Sequence, residues 1–114
     1  MKERTNPEWR TELKLPAPQC DTAIRDLKSA LLKGLTYALS RRAGADPAFI
    51  EDMAQESLVL VREKLDSFRG ESRFLTWANK IAVRVALTEL RKRQWRDVSL
   101  DSMANPENMF SAVN

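Results

Sequence analysis

Arg73, Lys80, Arg84 and Arg91 are separated by seven, four and seven positions. At about 100° per residue of α-helix, that spacing places all four within a sector roughly 40° wide. On a helix they make one long cationic ridge. Such a ridge suits a phosphate backbone, because each neutralised phosphate releases counterion and adds salt-dependent affinity. Thr76 flanks the ridge and Trp95 extends it, offering a hydroxyl donor and a stacking surface. A solvated helix face can carry the same pattern, so the ridge alone leaves both readings open. Upstream, Asp52, Glu56 and Glu63 fall around Val59 on the outer side of a second helical pattern, with Gln55 at the edge. An exposed apolar residue ringed by carboxylates suits a docking patch with an electrostatic rim. Ordinary solubilising charge is the competing explanation.

The charges are distributed in blocks. Asp46 to Ser67 holds six acidic residues (Asp46, Glu51, Asp52, Glu56, Glu63, Asp66) against Arg62 and Lys64. Arg69 to Arg96 reverses the balance, with Arg69, Arg73, Lys80, Arg84, Arg91, Lys92, Arg93 and Arg96 against Glu71 and Glu89. A block-wise switch of this kind suggests two different partners, and the net charge of +3 leaves a modest basic excess for an anionic one. Catalytic chemistry has little to work with. The chain has no histidine and one cysteine, Cys20, so a serine or cysteine triad lacks its imidazole base and a zinc site lacks its usual ligands. The sequence therefore suggests neither an enzyme nor a cofactor or metal site.

The elements that must position these groups read as helices. With 43% hydrophobic residues, 31% charged residues and three glycines in 114 residues, the chain fits one all-α domain. Residues 1–20 are polar and broken by Pro7, Pro16 and Pro18, which predicts a flexible arm weakly anchored by Trp9 and Leu13. Asp21 can cap a helix running to about Arg42, with Ile24, Leu27, Leu31, Leu35 and Ala38 on its apolar stripe. Gly44 suits a left-handed helix end, and Asp46-Pro47 supplies an N-cap followed by a first-turn proline. The next helix is predicted from Pro47 to Lys64, burying Ile50, Ala54, Ser57, Leu58, Val61 and Leu65. After a short loop, Ser72 is expected to cap a third helix reaching Arg93 or Arg96, with Phe74, Trp77, Ala78, Ile81 and Val85 as its buried seam. Residues 97–114 lose the periodicity and read as a tail. The charged opening MKERTNPEWRTELK lacks the apolar run of a signal peptide, and no apolar stretch approaches bilayer length, so a cytoplasmic location without membrane insertion is expected.

From about Phe49 to Arg96, the words IEDMAQESLVLVREKLDSFRGESRFLTWANKIAVRVALTELRKR closely resemble region 2 of the extracytoplasmic-function sigma factors, the small alternative specificity subunits of bacterial RNA polymerase. The combination of D-x-x-Q-E, K-L-D-S-F-R-G-E-S, F-x-T-W, I-A and a basic helix end carries the likeness. The resemblance implies a compact three-to-four-helix bundle without catalytic activity. It implies that Asp52, Gln55 and Glu56 dock on the clamp helices of the largest polymerase subunit, with Val59 and Glu63 on the same patch. It implies that Phe68, Arg69, Gly70, Glu71 and Ser72 form a loop that captures a base flipped from the non-template strand of the minus-ten promoter element. Lys80, Arg84 and Arg91 then match the helix that follows that strand's backbone.

Trp77 occupies the family's tryptophan position, yet its place in the apolar seam favours a core role. Asn79 and Lys80 stand where the family often has an aromatic residue followed by arginine. Charge survives that change and a stacking group does not. Family members carry a second, helix-turn-helix domain, whereas here VSLDSMANPENM looks like the start of an interdomain connector, so an isolated domain of residues 21–96 is expected. Many members are held inactive by an anti-sigma factor that covers these same faces, which makes such a protein a further candidate partner. The competing functional readings are a stand-alone double-stranded DNA binder and a stand-alone helical protein-interaction module that sequesters polymerase or an anti-sigma factor.

Overall fold

A computed structural model describes residues 2–104, with side chains as far as Arg96. Four α-helices and one turn of 3-10 helix follow in order: α1 (Asn6–Lys14), α2 (Asp21–Ala38), α3 (Pro47–Glu63), the 3-10 turn (Leu65–Ser67) and α4 (Phe74–Ala104). Helices α2, α3 and α4 each pack on the other two, and α1 lies against α2. The all-α bundle expected from the sequence is therefore the observed architecture.

Local chemistry explains how α3 begins. The Asp46 carboxylate accepts the Phe49 N–H at 2.8 Å, which satisfies one orphan donor of the first turn, and Pro47 follows where its missing N–H costs nothing. The inward side of the helix then buries Phe49, Ile50, Met53, Ala54, Ser57, Leu58 and Val61. In α2, Leu27, Leu31 and Leu35 are completely buried at three-and-four spacing. Each such leucine contributes about 1.5–3 kcal/mol through burial. Helix α4 buries a row at every fourth position, Phe74, Ala78, Ala82, Ala86 and Leu90, with half-buried Trp77, Ile81 and Val85 beside it. Three successive alanines in that row let the neighbouring helices approach closely. Gly34 of α2 marks a tight point of the packing: a Cβ there would sit 2.4 Å from Asn79 Oδ1 on α4.

Several sequence expectations need correction. Residues 6–14 of the expected arm form a capped helix, closed by the reciprocal Thr5–Glu8 capping box, and Trp9 and Leu13 are 3% exposed. Its anchorage is tertiary, since the Trp9 ring stacks on Phe74 with centroids 5.2 Å apart. The Arg4 guanidinium reinforces it by bridging Glu12 of α1 (3.1 Å) and Asp26 of α2 (2.7 Å) with its side chain 1% exposed. Asp21 is the first residue of α2, and the cap position belongs to Cys20, which makes no side-chain cap bond. Helix α2 stops at Ala38, short of Arg42, because Leu39 turns into the core and the chain folds back through an Arg42 N–H bond to the Leu39 carbonyl. Gly44 is left-handed (φ 85°) as expected, but within the α2–α3 loop. Helix α4 continues past Arg96 to Ala104, so only residues 105–114 of the expected tail lie outside the described residues.

Candidate docking and nucleic-acid faces

The loop before α4 is tied at both ends and open at its tip. On one side Leu65 and Phe68 insert into the core, and on the other Phe74 does the same. Asn6 of α1 joins the second end: its Oδ1 accepts the Phe74 N–H at 2.8 Å, and its Nδ2 donates to the Ser72 carbonyl at 2.9 Å. The cap expected from Ser72 is thus supplied from another helix, while the Ser72 hydroxyl donates to the Arg73 carbonyl (3.2 Å). Between these ties Arg69, Gly70 and Glu71 are exposed. Gly70 takes φ +75°, a conformation that L side chains rarely adopt, with no atom within 4 Å of a would-be Cβ.

Phe68 departs from its expected role in base capture. Its ring is 3% exposed, edge-on to Phe74 (centroids 5.4 Å apart) and tilted against Trp77 (5.0 Å). Trp9, Phe74, Phe68 and Trp77 form one aromatic cluster under the loop, so Phe68 supports the tip from below. Trp77 is half-buried in this cluster, in keeping with its seam position.

The four ridge cations, Arg73, Lys80, Arg84 and Arg91, are all exposed, as is Thr76. Arg73 directly precedes α4 and its carbonyl accepts the Trp77 N–H, so the helical spacing holds across the set. None of the four enters an ion pair among the described residues, whereas Arg93 and Arg96 both reach Glu89 (3.5 and 3.2 Å) and Arg93 also lies over the Phe49 ring. Trp95 is 66% exposed beyond the end of the ridge.

The acidic helix sorts itself in the same manner. Asp46 is committed to its cap, Glu51 to Lys28 at 2.7 Å, and Asp66 to Lys14. The Lys14 ammonium, hydrogen-bonded to Asp66, holds that carboxyl below its usual range. Asp52, Glu56 and Glu63 remain exposed with no cationic partner among the described residues, around Gln55 and a Val59 that is 51% exposed. The acidic and basic faces are neighbours: Glu56 and Arg84 line one shallow groove between α3 and α4, without an ion pair between them. Among the described residues, no cluster of histidine, cysteine and carboxylates could hold a metal, and no helix is long and apolar enough to cross a membrane.

Two residues of this surface escaped the sequence reading. Asn6 lies in a segment without periodicity, and nothing local marks it as a cap for a helix that begins at Phe74. Tyr37 is 88% exposed on α2 beside the ridge, and its signal was an aromatic residue lying off the apolar stripe of that helix.

The model of the family described as Sigma-70 region 2 matches residues 30–96. The chain belongs to the sigma-70 region 2 family. Among curated proteins, this region 2 domain is similar to the ECF RNA polymerase sigma-E factor of Salmonella typhimurium strain LT2, at 36% identity over 77 residues, covering 54% of this chain and 40% of that protein. The protein of the same name from Haemophilus influenzae is 40% identical over 55 residues, covering 48% of this chain and 29% of the relative. That from Escherichia coli strain K12 is 34% identical over 77 residues, with 54% and 40% covered. The chain thus spans at most 40% of the length of these relatives. No solved structure matches it. The region 2 match begins inside α2, so α1 with Asn6 and Trp9 lies upstream of it.

Proposed function

We propose that this region 2 domain serves in transcription initiation as the polymerase-binding and promoter-melting part of a sigma factor. In this reading the α3 face of Asp52, Gln55, Glu56, Val59 and Glu63 docks on the clamp helices of core RNA polymerase. The exposed loop tip of Arg69, Gly70 and Glu71, with Ser72 at its edge, receives a base flipped from the non-template strand of the minus-ten element. Arg73, Thr76, Lys80, Arg84, Arg91 and Trp95 follow the strand's backbone along α4.

The observation that carries the reading is the division of the charges into committed and uncommitted sets. Asp46, Glu51, Asp66, Arg93 and Arg96 are engaged within the fold, while Asp52, Glu56 and Glu63 on one helix and the four ridge cations on another are not. Exposed charges held in a row without internal partners favour an external partner of opposite sign. The names of the curated relatives point the same way. Melting needs no nucleotide hydrolysis: unpairing costs a few kcal/mol per base, and contacts to the extruded base and to single-strand phosphates offset it. A forked promoter probe tests this. Binding that selects the non-template single strand over its complement and over intact duplex is expected, and preference for the intact duplex refutes it.

A further inference from the structure

Beside the cationic ridge, α2 and α4 leave a groove of about 640 Å³. Its charged lining consists of Lys80, Arg84 and Arg91, with no carboxylate, and Thr76 adds a hydroxyl. Tyr37 stands at its wall, 88% exposed, without an aromatic or hydrogen-bond partner among the described residues. It is more exposed than Trp95 at the end of the ridge. Gly34 and Ala38 flank Tyr37 in the lining, so no bulky neighbour on α2 covers the ring.

We propose that this groove binds one unstacked nucleobase of single-stranded DNA, with Tyr37 as its stacking platform and Lys80, Arg84 and Arg91 on the flanking phosphates. A flat, uncovered aromatic face beside three uncommitted cations matches the two halves of a nucleotide: a π-surface and an anion. The charged groups of the lining are all cations, which favours an anionic occupant, while the exposed ring and the apolar Val83 and Leu87 beside it favour an anion that carries a planar group. The site rests on the reading that the ridge holds a single strand, and adds to it a base contact from α2. It also supplies an aromatic next to the ridge position where Asn79 and Lys80 offer none.

The test is fluorescence anisotropy of the full chain with a short labelled oligothymidine strand and with a strand of equal length built from abasic spacers. Tyr37→Ser is expected to weaken oligothymidine binding about tenfold, the loss of one base stack, and to leave the abasic strand unaffected. Tyr37→Phe should bind both strands as the parent does. The ring is exposed, so unchanged circular dichroism and melting are expected for both variants. Undiminished oligothymidine binding by Y37S overturns the nucleobase site while leaving the proposed function standing, and so does an equal loss on both strands. A parent chain that binds neither strand overturns both. If Y37S instead loses capture of a polymerase clamp-helix fragment with DNA binding intact, the groove belongs to a protein partner and the nucleobase site is refuted.

Discussion

Asn6 and Phe74 are joined by a hydrogen bond of 2.8 Å from the Phe74 N–H to Asn6 Oδ1, so the first turn of α4 is closed by a side chain from α1. The same amide donates to the Ser72 carbonyl, which fixes the end of the loop just ahead of Arg73 along with the first residue of the helix. Replacing Asn6 by alanine removes both bonds and should cost about 0.5–2 kcal/mol, read as a lower urea midpoint with unchanged m-value. Asn6→Asp keeps the acceptor and loses the donor, so its cost should fall between the parent and N6A. If N6A leaves the midpoint where it was, the cap contributes nothing.

Reversing charge at Asp52 and Glu56 together, to lysine, should abolish capture of a clamp-helix fragment. Both carboxylates are exposed and neither takes part in the core, so the melting temperature should be preserved. Retained capture by the double variant would remove α3 from the docking face.

Alanine at Arg84 and Arg91 should flatten the salt dependence of single-strand binding. Each lost phosphate contact reduces the slope of log K against log salt by about 0.7, so the double variant should lose about 1.4. An unaltered slope would place both residues outside the interface.

Phe68 separates the loop's scaffold from its tip. Phe68→Ala removes a buried ring that packs on both Phe74 and Trp77 and should destabilise the domain by about 3–5 kcal/mol in chemical denaturation. Arg69→Ala, at an exposed position, should leave stability within about 0.5 kcal/mol and act on DNA binding alone.

Acid should loosen the N-cap of α1 and its tie to the 3-10 turn. Glu8 is held below its ordinary value by accepting the Thr5 backbone N–H, then by the Thr5 hydroxyl, and Asp66 by its hydrogen bond from Lys14 and that residue's charge. A carboxyl lowered in the folded state stabilises the fold above its unfolded pKa, and that contribution fades as pH falls through the depressed folded value. Stability should therefore decline on acidification across that window, and E8Q together with D66N should make the decline shallower. Both groups are exposed, so the effect is small, and an identical pH slope in the double variant would refute it.

The parts of this fold that the sequence made legible are those governed by near neighbours. Asp46-Pro47 announces α3 because cap and proline act within one turn, and the spacing of Arg73, Lys80, Arg84 and Arg91 suffices to align them on any continuous helix. The hidden parts depend on distant residues. Helix α1 has too few apolar positions to show a period, and it docks through contacts with distant residues, the Trp9–Phe74 stack and the Arg4–Asp26 pair among them. Ser72 is a sound local candidate for a cap, but Asn6 reaches the same N–H from another helix. Phe68 sits in a loop by sequence and in the core by packing, a distinction that alternation of residue types cannot carry.

The reach of Asn6 across to α4 bears on how the domain is cut. Trimming the chain to residues 30–96 would sever α2 within its own span and discard the N-terminal latch along with it. The loop tip would keep every residue credited with holding DNA, yet lose the amide that sets its exit and the indole beneath it. Such a fragment would be impaired in the very segment it was trimmed to preserve.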